Sequence, residues 1–558
     1  MTGFTAVVSG GTTITARGAV RAAAERVLGR LWIDQVPVRL ASEDAELWPS
    51  AAAAAAGGRA LCWPGQPGPA RALLERIAEL RARARAAGLT EVVLVGAGPA
   101  VRAAALVGGS SLTVLDGPEP GPPARLAADR DRLSRTLVVL AGPDPAGGAL
   151  YLALHQMMAD LGLSPTELAE RFVAVAEPGC PTAGRAVEGG HALVEAPAAT
   201  AFGALSPYAL VPAGLAGADV AGLLDRATAV LPALTRPENN PGLVLGAILG
   251  GCARAGRTTV VLGGYPAVSL DLPPESSPGL AEWVAALLAE ATGGLMLPLV
   301  QRGGLPVRPA GDVFLITLDG RPKQDDATVT GPLAEQLVMW EYAAAVAAYL
   351  LDADPLAPPR HERPAEGAAD EADTGADTGV DSDAGTAAEQ AGDGPPVFVE
   401  GDPGQGVEVH TADPALAAAK DLAALLAAVA DRVAGNEHLA VAAFLDPDEA
   451  RGQGAQVRRL AGLLAARCAR PVTVTWGCRY PAFGNDRQEK GVYLVVTGNA
   501  VRDVPVPERR HGLDPVQRAR AAGAARAARA AGRPVVRLHL HDRRAGLARL
   551  LESARGGA

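Results

Sequence analysis

Val92-Val93-Leu94-Val95-Gly96-Ala97-Gly98-Pro99-Ala100-Val101 opens as an unbroken apolar run and turns through two glycines into a proline. Such a run reads as a strand buried on both faces, and a proline just past a glycine turn reads as the first residue of a helix. Strand, tight turn and helix in that order make up half of a βαβ unit. Further apolar runs at Leu112–Leu115, Leu137–Leu140 and Phe172–Val175 alternate with helical spacing at 71–87 and 148–161. The expected fold class is therefore α/β, with parallel sheets flanked by helices.

A second alternation begins after Pro241, with apolar runs at Val260–Leu262, Val313–Leu318, Leu439–Phe444, Val472–Val474, Val492–Val496 and Val535–Leu540. Upstream, 19–48 has helical spacing, so 1–58 is expected to be an N-terminal helical segment. The first α/β domain is placed at 59–232 and the second at 233–359 plus 397–558. Between the two parts of the second domain, 360–396 is rich in Asp, Glu, Ala, Gly and Thr and almost free of bulky apolar residues. A stretch of that kind cannot bury enough surface to offset its ordering entropy, so it is expected to be a disordered acidic insert.

The Gly96–Val101 turn also resembles a dinucleotide-binding loop, with Asp116 closing the next strand. In such a loop the third glycine allows close helix-to-strand packing, and here that position is Val101, so no cofactor is expected. The net charge of −10 argues against general affinity for nucleic acid. The one basic run, Arg518, Arg520, Arg526, Arg529 and Arg533, lies in an Ala-rich stretch and reads as a solvated helix face. The cysteines Cys62, Cys180, Cys252, Cys468 and Cys478 are scattered without C-x-x-C spacing, and the histidines show no H-x-x-x-H or H-E-x-x-H spacing. Neither a disulfide framework nor a metal centre is indicated. With no basic leader and no long apolar run, the expectation is a soluble cytoplasmic protein without membrane partners.

A longer pattern narrows this class. Phe202-Gly203-Ala204-Leu205-Ser206-Pro207-Tyr208 through Val220 resembles the stretch that follows the active-site arginine in glucose-6-phosphate isomerases, particularly those related to the isomerase half of transaldolase fusions. Other blocks agree in order. They are Phe172 to Gly179, Asn240 to Gly246, Trp283 to Pro298, Gly331 to Tyr342, Trp476 to Tyr480 and Gly532 to Leu540. The resemblance implies two sugar-isomerase-type (SIS) domains, a homodimer, a sugar phosphate as ligand, and interconversion of glucose 6-phosphate and fructose 6-phosphate without a cofactor.

Aldose–ketose interconversion needs an anion site, a ring-opening acid or base, a carboxylate that moves a proton between C1 and C2, and a cation beside the enediolate oxygen. By resemblance the carboxylate is Glu290 in Ala289-Glu290-Ala291-Thr292-Gly293-Gly294, with Thr292 beside it among the substrate-binding residues. Gly96 and Gly98 stand where the family's first phosphate loop carries Gly-Gly-Ser-Ser, and Arg479 opens its C-terminal loop. Lys490 stands in for the family lysine in one alignment, while Gly491 to Leu494 aligns as well with the strand beyond it, and Arg302 is a further candidate substitute cation.

The departures are as specific as the matches. Pro99, Ala100 and Val101 provide no hydroxyl, and the second phosphate loop falls on Gly142-Pro143-Asp144-Pro145-Ala146, where prolines remove amide donors and Asp144 repels a dianion. Ala199-Thr200-Ala201 replaces Gly-Gly-Arg, and Ala482 stands where the family has its ring-opening histidine. Those loops are expected to hold a sugar phosphate no better than about millimolar, and a non-catalytic paralogue that binds or scaffolds is the alternative function.

Overall fold

The computed structural model describes residues 6–48, 70–142, 147–263, 279–300, 310–318, 327–356, 395–433, 437–470, 472–477, 491–507 and 509–556. Three sheets organise them. The first is wholly parallel, in the order β4-β3-β5-β6-β7, from β3 (Glu91–Val95), β4 (Leu112–Leu115), β5 (Thr136–Ala141), β6 (Phe172–Ala176) and β7 (Ala192–Glu195). Every residue of β5 and β6 is buried, which explains why their sequences are continuous apolar runs rather than alternating ones.

The second sheet runs β1-β2-β11-β10-β8-β9, from β1 (Ala6–Ser9), β2 (Thr12–Ala16), β8 (Thr259–Gly263), β9 (Leu297–Val300), β10 (Val313–Leu318) and β11 (Ala327–Thr330). The third runs β12-β13-β17-β16-β14-β15, from β12 (Phe398–Glu400), β13 (Val407–Thr411), β14 (His438–Ala443), β15 (Val472–Trp476), β16 (Gly491–Gly498) and β17 (Val535–Leu540). In both, four parallel strands are extended on one side by an antiparallel hairpin, β1–β2 or β12–β13.

Two expectations change here. The N-terminal segment begins with a hairpin before its helix, because Thr12-Thr13-Ile14-Thr15-Ala16 alternates inward and outward as an edge ladder does. Residues 233–359 and 397–558, expected as one domain, contribute strands to different sheets: β2 from the far N-terminus completes the sheet of 259–330, and 397–540 builds its own. The acidic insert between them lies largely outside the described residues.

The helices that position the site are α1 (Gly18–Ile33), α2 (Pro99–Gly108), α3 (Pro207–Ala216), α4 (Pro241–Arg254), α5 (Leu280–Ala291), α6 (Leu333–Leu350), α7 (Gly454–Cys468), α8 (Leu513–Ala530) and α9 (Arg543–Arg555). α6 is the hub and is buried on every face, with α4 along one side and Leu234 near its Tyr342. Glycines on α4 permit the close approach: a Cβ at Gly246 would lie 2.4 Å from Val346 Cβ, and one at Gly250 would lie 2.5 Å from Leu350 Cδ1. Gly246→Ala should therefore lower stability by roughly 1–3 kcal/mol, because overpacking between backbone-locked helices exceeds the helix-propensity gain of about 1 kcal/mol. A urea midpoint at or above that of the parent chain would show that the helices can part without cost.

One continuous apolar core joins α1, α3, α4, α5 and α6 to the first and second sheets. The third sheet has separate cores on its two faces, and among the described residues Val504, Val506 and Leu513 enter a core of the first. Charge pairs also link it to the other sheets. Arg543 Nη1 donates to Glu119 Oε1 at 2.7 Å and its Nη2 to Asp514 Oδ1 at 3.2 Å, while its Nε bonds the Gly498 carbonyl at 3.0 Å. Arg125 pairs with Asp446 and, at 3.5 Å, with Asp448. Arg470 grips Asp312 through two bonds of 3.0 and 2.6 Å. Burial raises the Asp312 carboxyl, but Arg470 more than offsets this and its pKa ends below the ordinary carboxylate value.

Candidate functional site

The glycine turn is shaped by backbone crowding. A side chain at Gly96 would meet the Ala141 carbonyl at 2.5 Å, and Gly98 has a φ of 90°, a region that L side chains rarely adopt. Gly96 lies between the ends of β3 and β5, the point where strand order reverses and where open α/β sheets usually take their ligand. Here that crevice, lined by Gly96, Gly142, Tyr151, Thr182 and Arg185, has a volume of only about 10 Å³. Among the described residues that is roughly the room for one water, too little for a sugar.

The usable space lies on the other side of β3. A cavity of about 480 Å³ extends from Gly98 and Pro99 past Asp116 to Glu282 and Glu290 on α5, and on to Trp476, Arg458 and Arg520. That volume is within the range of small-molecule sites. β4, β9 and β15, each an edge strand of its sheet among the described residues, all contribute to its wall. The three sheets share one winding, in which the second parallel strand lies outside the first and the third lies inside it. The cavity is therefore bordered by the equivalent strand of each.

Glu290 is half-buried at the C-terminal end of α5 and lines this cavity. Thr292, two residues on, is fully buried, its hydroxyl donating to the Leu288 carbonyl at 2.7 Å and accepting from the Met296 amide at 3.3 Å. It supports the turn and does not face the cavity. Gly98 borders the cavity and Gly96 the closed crevice. Arg479, Lys490 and Arg302 lie outside the described residues, as do Pro143 to Ala146 and Ala482.

Where the resemblance places an arginine, Ala201 is buried and absent from the cavity wall. The neighbouring backbone is held by a carboxylate invisible to motif reading. Glu341 on α6 accepts the amides of Gly203 at 2.8 Å and Ala204 at 2.7 Å on one oxygen. Burial pushes its pKa up to about 8, against the lowering effect of those two amides. Gly203 in turn abuts Ala100 at the start of α2, where a Cβ on Gly203 would come within 2.7 Å of Ala100 Cβ. Glu341 thus holds the Gly203 turn, which backs the start of α2 behind the cavity wall, without touching the cavity itself.

On the other wall, Glu119 is buried against Arg543 and Gln517. Burial raises the Glu119 carboxyl more than Arg543 lowers it. The expectation of a solvated arginine face on α8 changes as well. None of Arg518, Arg520, Arg526, Arg529 and Arg533 is fully exposed. Arg518 pairs with Asp514, Arg533 lies 5.3 Å from the Tyr493 ring centroid and donates to its hydroxyl, and Arg520 enters the cavity wall. Among the described residues no His, Cys, Asp and Glu cluster could hold a metal, and no helix is long and apolar enough to cross a membrane.

No protein-family model and no curated sequence matches the chain. Solved structures with a similar course include a hypothetical protein of Thermus thermophilus, at 18% identity and a TM-score of 0.46, covering 62% of this chain and 96% of that one. A glucose-6-phosphate isomerase of Chlamydia trachomatis aligns at 15% identity and a TM-score of 0.44, over 63% of this chain and 87% of its own. The C-terminal domain of a Francisella tularensis glucosamine-fructose-6-phosphate aminotransferase aligns at 12% and 0.31, over 52% and 93%. At these scores the likenesses carry no weight for activity.

Proposed function

We propose that the 480 Å³ cavity binds a phosphorylated sugar and that Glu290 moves a proton between adjacent carbons of its open-chain form, the aldose–ketose isomerisation of glucose 6-phosphate and fructose 6-phosphate. The observation that carries this reading is that Glu290 and the Gly98 turn, far apart in sequence and matched independently to the isomerase pattern, border the same space. In this reading Glu290 takes the C2 proton of the aldose and returns it to C1, with no cofactor. The catalytic unit is a homodimer by resemblance, and Arg479 and Lys490 complete the site as substrate-binding and catalytic groups.

A second reading, a non-catalytic paralogue that binds the same ligand, draws on one specific observation: buried Ala201 where an arginine would steady the enediolate. A missing donor of that kind costs roughly a hundredfold to a thousandfold in rate. A coupled assay with fructose 6-phosphate separates the two. Turnover that falls by about a hundredfold or more in Glu290→Gln, with binding by calorimetry retained, supports the first. Binding without turnover in the parent chain establishes the second, and turnover unchanged in Glu290→Gln removes Glu290 from the mechanism.

A further inference from the structure

A phosphate ester near neutral pH is largely a dianion, and a protein that takes it out of water must return several charge-assisted hydrogen bonds. The turn at Gly98, Pro99, Ala100 and Val101 has no polar side chain, and Pro99 has no amide hydrogen. The crevice at the β3/β5 switch point is too small for a phosphoryl group. An anionic ligand in this cavity must therefore find its donors elsewhere on the wall.

The cavity has charged groups of both signs, and they are segregated. Residues 279–300 contribute Glu282 and Glu290, both on α5. Arg102 stands on α2, which packs against α5, so that side already balances part of its own charge. Among the described residues, the wall built by 437–530 contributes Arg458 on α7 and Arg520 on α8, and no carboxylate. Of the remaining acids, Glu119 is engaged by Arg543 and Gln517, and Asp116 closes β4.

The two arginines differ in what already holds them. Arg458 pairs with Glu449 and borders the cavity. Arg520 is half-buried in the cavity wall, in the turn of α8 next to Gln517, and makes no ion pair or hydrogen bond with the described residues. A half-buried guanidinium has given up hydration, and an anionic ligand is what would return it.

We propose that Arg520 and Arg458 form the anion seat of this cavity. They would hold the phosphoryl group of a phosphorylated, hydroxylated carbon chain on the wall of 437–530 while its reacting carbons lie at Glu290. The seat rests on the sugar-phosphate reading above, and it moves the anion away from the eroded turn at Gly98. It also gives the third sheet a functional part, since the ligand would bridge 437–530 to the helix that carries Glu290.

Calorimetric titration of the full-length chain with glucose 6-phosphate, glucose and inorganic phosphate, for the parent, Arg520→Gln, Arg520→Lys and Arg458→Gln, tests this. The expected result is that both Gln variants weaken glucose 6-phosphate and inorganic phosphate by about tenfold or more, that Arg520→Lys recovers part of the loss, and that glucose is unaffected. Unchanged melting temperatures exclude a folding defect, and if Arg520→Gln does not fold, Arg520→Lys and Arg458→Gln still read the seat. If glucose 6-phosphate binds the Gln variants as tightly as the parent, the seat is overturned and the sugar reading stands. If inorganic phosphate binds in an Arg520-dependent way and the sugar adds nothing, the seat stands and the sugar reading falls. Absence of binding by both up to about 10 mM overturns the seat together with the reading it rests on.

Discussion

Arg543→Met should cost the fold roughly 3–5 kcal/mol, because it leaves Glu119 buried with no cation against it and Asp514 with Arg518 alone. The methionine keeps most of the stem packing, so the loss reports the charge rather than a cavity. Both carboxyls already sit above their ordinary pKa because burial outweighs the attraction of Arg543 on Glu119 and of Arg518 and Arg543 on Asp514. Without the arginine they should take up protons more readily still, and the deficit should shrink as the pH falls toward 5. Adding Glu119→Gln and Asp514→Asn to Arg543→Met should recover much of the loss, since replacing all partners of a buried pair is far less costly than removing one. Urea unfolding at pH 7.5 and pH 5 reads these differences, and a deficit for Arg543→Met under about 1 kcal/mol would mean that the third sheet is held by something other than this clamp.

The second large effect belongs to Glu341 and has a pH signature. Its folded-state pKa, about 8, lies above the ordinary carboxylate value of 4.5, so the folded chain holds a proton that the unfolded chain releases. Stability from this group is complete below about pH 4.5 and is lost as the pH rises to about 8, a span worth roughly 3–5 kcal/mol. Glu341→Gln keeps an oxygen for the Gly203 and Ala204 amides and cannot ionise. The variant should therefore gain on the parent chain from pH 5 to about pH 8 and level off above it, with little difference at the acid end. Parallel stability curves over that range would show that Glu341 is not buried as described.

The parts of the fold most directly read from residues are strands whose burial is total. β5, β6 and β16 have every residue buried, and their largely apolar runs mark them, while β17 is as buried although Arg537 and His539 interrupt its run. β9 escapes notice because Pro298 interrupts Leu297 to Val300, which a strand tolerates at a sheet edge. The place of β2 in its sheet escapes because its partner β11 lies more than 300 residues away in the chain, and no local pattern signals a pairing that distant.

The site divides in the same manner. Glu290 is legible because a motif surrounds it, whereas Thr292, read from that same motif, satisfies its hydroxyl within its own helix and turn. Glu341 is hidden in α6, where its neighbours are apolar on every side and no spacing separates a structural carboxylate from a solvated one. Arg520 is hidden for the opposite reason. It belongs to a series of arginines on an Ala-rich helix, and only the tertiary arrangement selects the one that enters the cavity.

The meeting of β4, β9 and β15 around one cavity also bears on how the chain avoids self-association. A parallel sheet ends in a row of unpaired amides and carbonyls that invites a strand from another molecule. Here one such row from each sheet is turned toward the interior, and β1 and β12 cap the opposite sides of the second and third sheets with short hairpin strands. If the charge clamps at Arg543, Arg125 and Arg470 open, the interior rows of β9 and β15 come into reach of other chains before any sheet has melted. Aggregation on mild heating or in moderate salt should then begin from molecules whose secondary structure is still intact, with light scattering rising ahead of the far-ultraviolet circular dichroism transition.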